Sequence, residues 1–217
     1  AKFEYEKFDW DKQVVATSAD GRTDSGPVID IYDGDTISFE GGLRGRFTDR
    51  LVLGAVIGYT AIRYDSPVQD TGGCEDPASD GSSADLNGFP CALTGNAEIG
   101  FDITERQRLR VGFLREHMDV FFSNYLSMNR YYIAYSGDYG KYVSLKLVGD
   151  YSLQGYHGDV AREDHWYRLR GDVVAHANAW LDFSFGTWYT GRRVTDPRWA
   201  TSEYDDVNVH VGAQFTY

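Results

Sequence analysis

The chain has 217 residues, the size of one domain or a small pair, and is rich in Tyr and Gly and poor in Pro, which favours strands joined by glycine-containing turns over helices. No run of about 18 apolar residues occurs, which excludes a transmembrane helix, although low overall hydropathy leaves room for spanning strands that are only half apolar. A net charge of −12 with no basic stripe excludes nucleic acid as a partner.

Ten alternating segments are predicted in chain order. The first, Lys2–Asp11, is irregular: Phe3 and Tyr5 share one parity and Phe8 and Trp10 the other, the mark of a bulge or an edge. In the second, Thr36–Phe47, Ile37, Phe39, Leu43 and Phe47 oppose Ser38, Glu40, Arg44 and Arg46. Thr48-Asp49 turns into the third, Arg50–Asp65, where Leu51, Leu53, Ala55, Ile57 and Tyr59 oppose Gly54, Gly58 and Thr60. The fourth, Asn96–Ile103, alternates Ala97, Ile99, Phe101 and Ile103 with Glu98, Gly100 and Asp102. Glu105-Arg106-Gln107 leads to the fifth, Arg108 to about Phe121.

The sixth, Arg130–Tyr139, carries Tyr131, Ile133, Tyr135 and Tyr139 on one side. After a turn near Gly140-Lys141, the seventh runs over Tyr142–Gly155, with Val143, Leu145, Leu147, Tyr151 and Leu153 opposite Ser144, Lys146, Asp150, Ser152 and Gln154. The eighth is His165–Asn178 and the ninth Trp180–Arg192. The tenth, Asp206–Tyr217, sets Val207, Val209, Val211, Ala213, Phe215 and Tyr217 against Asn208, His210, Gly212, Gln214 and Thr216.

Connections at 48–49, 104–107, 140–141 and 179 are tight, whereas those at about 12–35, 66–95, 122–129, 156–164 and 193–205 are mostly long and polar. An even number of strands places both ends of the chain on one side. The chain opens directly on Ala1-Lys2-Phe3 without a signal peptide, which fits a processed N-terminus. Cys74 and Cys91 share a Gly/Ser/Asp-rich stretch, and their spacing would close a loop worth roughly 3 kcal/mol as a disulfide. A disulfide formed outside the cytosol is expected in preference to two thiols or a zinc pair, because no further His or Cys lies nearby to complete four ligands.

The fold expected is all-β: a closed antiparallel up-and-down transmembrane barrel of ten strands, with eight or twelve as alternatives, forming a single domain over 1–217. A lipocalin-like soluble barrel would show the same alternation turned inside out. Three features favour an outward apolar face. The polar face balances acids and bases (Glu40, Arg44, Arg46, Glu98, Asp102, Arg110, Glu116, Lys146, Asp150, Arg168, Arg170, Asp172, Asp182 and Arg192), as a confined lumen requires. Aromatic residues concentrate towards strand ends, as in interfacial girdles. The chain also stops on the aromatic Tyr217.

These alternating segments, the long–short connection rhythm and the terminal Val209–Tyr217 pattern resemble the outer-membrane β-barrel superfamily of Gram-negative bacteria over nearly the whole length. The resemblance is architectural and points to no narrower family. It implies an outer-membrane location, with short turns and both ends periplasmic and long loops extracellular, contact with lipid and lipopolysaccharide, and insertion by the barrel-assembly machinery. It does not imply an activity.

Three groups carry candidate chemistry. The acidic loop at about 66–95, with Asp70, Glu75, Asp76, Asp80 and Asp85, could bind Ca²⁺ weakly, yet it has no EF-hand or RTX spacing and reads more simply as a solvated surface loop; no cofactor is expected. Glu116, His117, Asp119, His157, Asp159, Asp164 and His165 gather near the extracellular rim, where an omptin-like protease would use Asp and His. With Ser152 or Ser184 they could imitate a lipid-modifying hydrolase; polar loop residues are the blander reading. In the lumen, Asp172 and His176 share a face with Arg168 and Arg170, and this network reads either as a hydrogen-bonded plug or as a narrow passage. The function expected is therefore a structural or surface-interaction barrel, with a narrow channel, a rim enzyme or a subunit of a larger envelope assembly as alternatives.

Overall fold

The computed structural model describes residues 2–8, 34–64, 92–120, 123–157, 162–195 and 202–215. They form one antiparallel sheet in chain order: β1 (Lys2–Phe8), β2 (Gly34–Arg46), β3 (Leu51–Tyr64), β4 (Leu93–Thr104), β5 (Gln107–Val120), β6 (Ser123–Tyr139), β7 (Val143–His157), β8 (Arg162–Asn178), β9 (Leu181–Val194) and β10 (Tyr204–Phe215). β1 is described by its backbone pairing to β2 alone, and β2–β10 with side chains. Each strand is hydrogen-bonded to its neighbours in sequence, and no described ladder joins β10 to β1.

The tight turns are built by side chains that imitate backbone acceptors. The Thr48 hydroxyl accepts the Leu51 N–H at 3.0 Å, Thr104 that of Arg106 at 3.3 Å, and the Asn178 carbonyl that of Trp180 at 2.9 Å. These turns set a register in which even pairs with even and odd with odd from β2 to β10. The exceptions are single closing pairs at three hairpin ends, such as Thr104–Gln107. Even-numbered residues therefore share one face of nine strands and odd-numbered residues the other.

The odd face is apolar and open. Leu43, Ile57, Ile133, Leu169, Val207 and Val211 are exposed, Leu43 to 86% and Val211 to 77%. The even face carries the charges. Towards the loop end it is closed: Ile62, Leu126, Met128, Tyr156 and Val194 are buried there, together with Ser152 and Asp164.

Several expected boundaries are corrected. β6 begins at Ser123 and β8 at Arg162, so the polar stretches expected at 122–129 and 156–164 are mostly paired strand. β4 likewise begins at Leu93, inside the loop expected to run to residue 95. The reason is a change of phase. In β6 the apolar residues are odd from Tyr131 onward but even at Leu126 and Met128, while odd Ser127 and Asn129 are polar. In β5 the same switch occurs between Phe113 and Arg115. A strand whose alternation inverts partway reads as two different things, although its backbone ladder is continuous. Cys74, Cys91, the acidic run from Asp70 to Asp85, Asp159 and Tyr217 lie outside the described residues.

Candidate functional site

On the even face the short carboxylates act as nodes, most of them held between two cations. Glu98 lies 3.4 Å from Arg44 and 4.0 Å from Arg110. Asp102 meets Arg108 at 2.5 Å and Arg46 at 3.6 Å. Asp150 meets Arg168 at 2.8 Å and Arg130 at 3.2 Å, and Asp172 meets Arg170 at 2.7 Å and His210 at 3.6 Å. Towards the loop end, fully buried Asp164 takes Arg192 at 2.6 Å and Arg162 at 3.4 Å. Glu40 and Lys146 share this face without an ion pair to another described residue.

Two glycines let side chains reach over a neighbouring strand. In the lateral row Arg44, Gly54, Glu98, Gly112, Tyr132, the Tyr132 ring lies across β5 and its hydroxyl donates to Glu98 at 2.7 Å. A Cβ on Gly112 would collide with that ring. Gly186 does the same for His210, which reaches from β10 across β9 to Asp172 on β8. These two side chains thus lie flat on the sheet, Tyr132 beside a cavity of about 680 Å³ that it lines with Glu40, Arg44, Gly54 and Glu98.

At the tight-turn end the register brings two pairs together. Asp138 pairs with Ser144 across β6–β7 and His176 with Asp182 across β8–β9, and the β7–β8 ladder sets Ser144 diagonally beside His176. Ser144 Oγ lies 3.1 Å from His176 Nε2, and His176 Nδ1 lies 2.8 Å from Asp182 Oδ1. The serine hydroxyl donates to Asp138 Oδ1 at 2.6 Å. A serine, a histidine and a carboxylate are thus in line, each through the nitrogen that acid–base relay requires.

The loop-end candidates do not converge in this way. Glu116 and Asp164 stand on the even face, His117, His157 and His165 on the odd, and the Asp119 side chain lies outside the described part. His117 meets Ser127 Oγ at 2.9 Å and the Leu93 carbonyl at 3.3 Å. His157 stacks on Tyr125 with ring centres 4.4 Å apart. Burial, with the charges of His117 and Arg115 adding, lowers its pKa to about 4. His165 Nδ1 faces the Tyr151 hydroxyl at 2.7 Å, while Glu163 and Thr195 both crowd its Nε2 at 3.3 Å. Opposite Glu163, at Nδ1, stands the Tyr151 phenol rather than a serine, so His165 lacks a serine nucleophile at the nitrogen a relay would use. Ser152, fully buried, has no hydrogen-bond partner at its hydroxyl among the described residues.

Searches against protein-family models, curated proteins and solved structures returned no match.

Among the described residues no group of three His, Cys, Asp or Glu side chains is placed to hold a metal ion. The ion-pair nodes Glu98, Asp102, Asp150 and Asp172 were legible as polar-face acids. Their partners Arg108 and His210 were findable by parity alone, since both are even. Tyr132 was concealed because an aromatic in a strand reads as a girdle residue, and Arg130 because it stood at the supposed strand end. Ser144 was one polar residue among many: its partners lie on the next two strands and become neighbours only through the register.

Proposed function

We propose that this chain is an outer-membrane β-barrel, closed by β1 against β10, whose odd face contacts lipid and whose even face lines the lumen. The observation that carries this reading is the inversion of phase within single strands. On the odd face no charge occurs over Val143–Leu153 of β7, Leu181–Tyr189 of β9 or Val207–Phe215 of β10, runs close to the roughly 9–11 residues a tilted strand needs to cross the hydrocarbon core. Beyond them, towards the loops, the same face turns polar: Arg115 on β5, Asn129 and Ser127 on β6, His165 and Glu163 on β8, Arg193 on β9 and Asp205 on β10. Arg193 and Asp205 pair at 2.7 Å, and Arg193, followed by the Tyr189 hydroxyl, holds the Asp205 carboxyl below its usual range. A strand surrounded by water along its whole length has no reason to change sides.

Aromatic contacts support the same placement. Phe113, Tyr131, Tyr151 and Tyr167 form a continuous odd-face ladder with neighbouring ring centres 5.0, 6.4 and 5.1 Å apart, and Trp180 stacks on Phe215 at 6.1 Å near the tight turns. Short turns then face the periplasm and the protruding ends face outward, in contact with lipopolysaccharide, with the barrel-assembly machinery inserting the chain. The role is structural or surface-interacting, because the outward end of the lumen is filled by Leu126, Met128 and Tyr156. Expressed in a Gram-negative cell, the protein should fractionate with the outer membrane, require detergent, and migrate differently before and after boiling. A chain that stays soluble without detergent and shows no such shift ends the reading.

A narrow solute passage is the second reading, favoured by one asymmetry. In the mid-face pairs the guanidiniums of Arg44, Arg46, Arg108, Arg110, Arg130, Arg168 and Arg170 keep 33% to 71% of their side-chain surface, and the carboxylates of Glu98, Asp102, Asp150 and Asp172 only 6% to 22%. Short acids lie at the wall and long arginines reach inward, so a passage here would prefer anions. Anion-selective current in planar bilayers, abolished by Gly54→Trp, supports the passage; an electrically silent barrel removes it.

A further inference from the structure

We propose that Ser144, His176 and Asp182 form a serine-hydrolase site at the tight-turn end of the even face, acting on small water-soluble carboxylic esters. It goes beyond the barrel reading and uses residues that the loop-end candidates do not include.

The geometry is specific in its atoms. Asp182 meets His176 at Nδ1, at 2.8 Å, which orients the ring and sets Nε2 at 3.1 Å from Ser144 Oγ. An ion-pair network alone gives no reason to order the three groups in this way, and the other histidines differ: His165 has a tyrosine rather than a serine hydroxyl on the nitrogen opposite Glu163, and His210 reaches its acid through Nε2. The dyad is accessible, since His176 and Asp182 each keep 35% of their side-chain surface. The backbone at His176 is fixed beside the start of β7, because the His176 main-chain N–H donates to the Tyr142 carbonyl at 2.7 Å. Lys146 stands two residues from Ser144 on the same face of β7, opposite Asp172 in the ladder.

In the reaction, Ser144 Oγ attacks the ester carbonyl carbon as its proton passes to His176 Nε2. The tetrahedral intermediate collapses with cleavage of the carbonyl carbon–oxygen bond, and His176 returns the proton to the departing alcohol. Water then attacks the acyl-serine, gives its proton to His176 and releases the carboxylic acid, and the serine recovers its proton. Asp138, which takes the Ser144 hydroxyl at 2.6 Å at rest, must release it for the first transfer. It therefore acts as a brake, and Asp138→Asn should speed acylation.

The test uses the full-length protein in detergent, shown to be folded by its shift on boiling, with a fluorophosphonate probe and p-nitrophenyl acetate. Covalent label on Ser144 is expected, located by peptide mass and absent from Ser144→Ala. His176→Gln should lower the acylation rate by about 10²-fold or more, with Asp182→Asn as the companion variant should His176→Gln fail to fold. Ser152→Ala and Ser184→Ala should label as the parent does. Folded protein that labels no more than Ser144→Ala, or whose acylation His176→Gln and Asp182→Asn both leave unchanged, overturns the site. Because folding is read separately, that result leaves the barrel reading standing.

Discussion

Tyr132 reaches Glu98 only because position 112 has no side chain, so the two residues should be coupled energetically. Gly112→Ala forces the Tyr132 ring off the wall and breaks its hydrogen bond; overpacking of this kind costs about 1–3 kcal/mol. In a Tyr132→Ala background the same change should cost little, and urea unfolding of all four proteins closes the cycle. Equal costs in both backgrounds would show that the ring does not depend on the glycine. His157 makes a second residue-scale prediction. Its folded pKa of about 4 lies below the roughly 6.5 of an unfolded histidine, so between these values the unfolded chain binds a proton that the folded chain refuses. Stability therefore rises with pH across that window: the contribution is complete above about 6.5 and is lost as pH falls towards 4, by on the order of 2 kcal/mol. His157→Phe, which retains a ring against Tyr125, should remove this part of the slope in urea titrations at pH 7 and pH 4.5. Neither site was visible in sequence. Nothing in the sequence sets Gly112 apart from the other glycines, and His157 looks like a rim base, whereas burial holds its pKa down to about 4.

At the scale of the strand, the proposed barrel has one β element crossing two environments, and a probe moved along one face should report the boundary. Ile133 and Ser127 are both odd-numbered residues of β6, six positions apart on a continuous ladder. On that reading Ile133→Arg places a charge against lipid near the middle of the span and should cost about 2–4 kcal/mol, whereas Ser127→Arg, beyond the boundary, should cost about 0–1 kcal/mol. Similar costs at both positions would remove the boundary and the membrane reading with it. The same boundary explains which elements could be read. β7, β9 and β10 keep one phase over most of their length, and their alternation is plain in the sequence. Ser123–Asn129 of β6 reads as loop because Leu126 and Met128 stand on the even face while Ser127 and Asn129 on the odd face are polar, and period-2 reasoning takes a change of side for an end of pairing. Register was beyond reach for a different reason. It depends on turn geometry set by Thr48, Thr104 and Asn178, and a slip of one residue would have sent the mid-face charges to the apolar face.

At the scale of the whole molecule the question is what covers the free edge of β10. Alternate β10 amides point towards β9, and the remainder point away from it. Ten strands alternating in direction leave β1 and β10 antiparallel, so the first strand can satisfy that edge without a crossover. In a hydrocarbon medium an unpaired row of N–H and C=O groups would cost several kcal/mol per group, which makes closure a condition of residence in the membrane. Hydrogen exchange of the detergent-solubilised protein separates the alternatives. With β1 docked, every amide from Val207 to Phe215 should be protected, and protection should fall on the outward-pointing set alone when Tyr5→Pro removes a donor from β1. With an open edge, protection would alternate residue by residue in the parent protein and Tyr5→Pro would change nothing on β10. A closed ring also predicts a concerted loss of protection along β9 and β10 once β1 is detached, because a barrel strand is held from both sides. Exchange that fades gradually from β10 inward, with the earlier strands unaffected, would be the signature of a sheet with an edge.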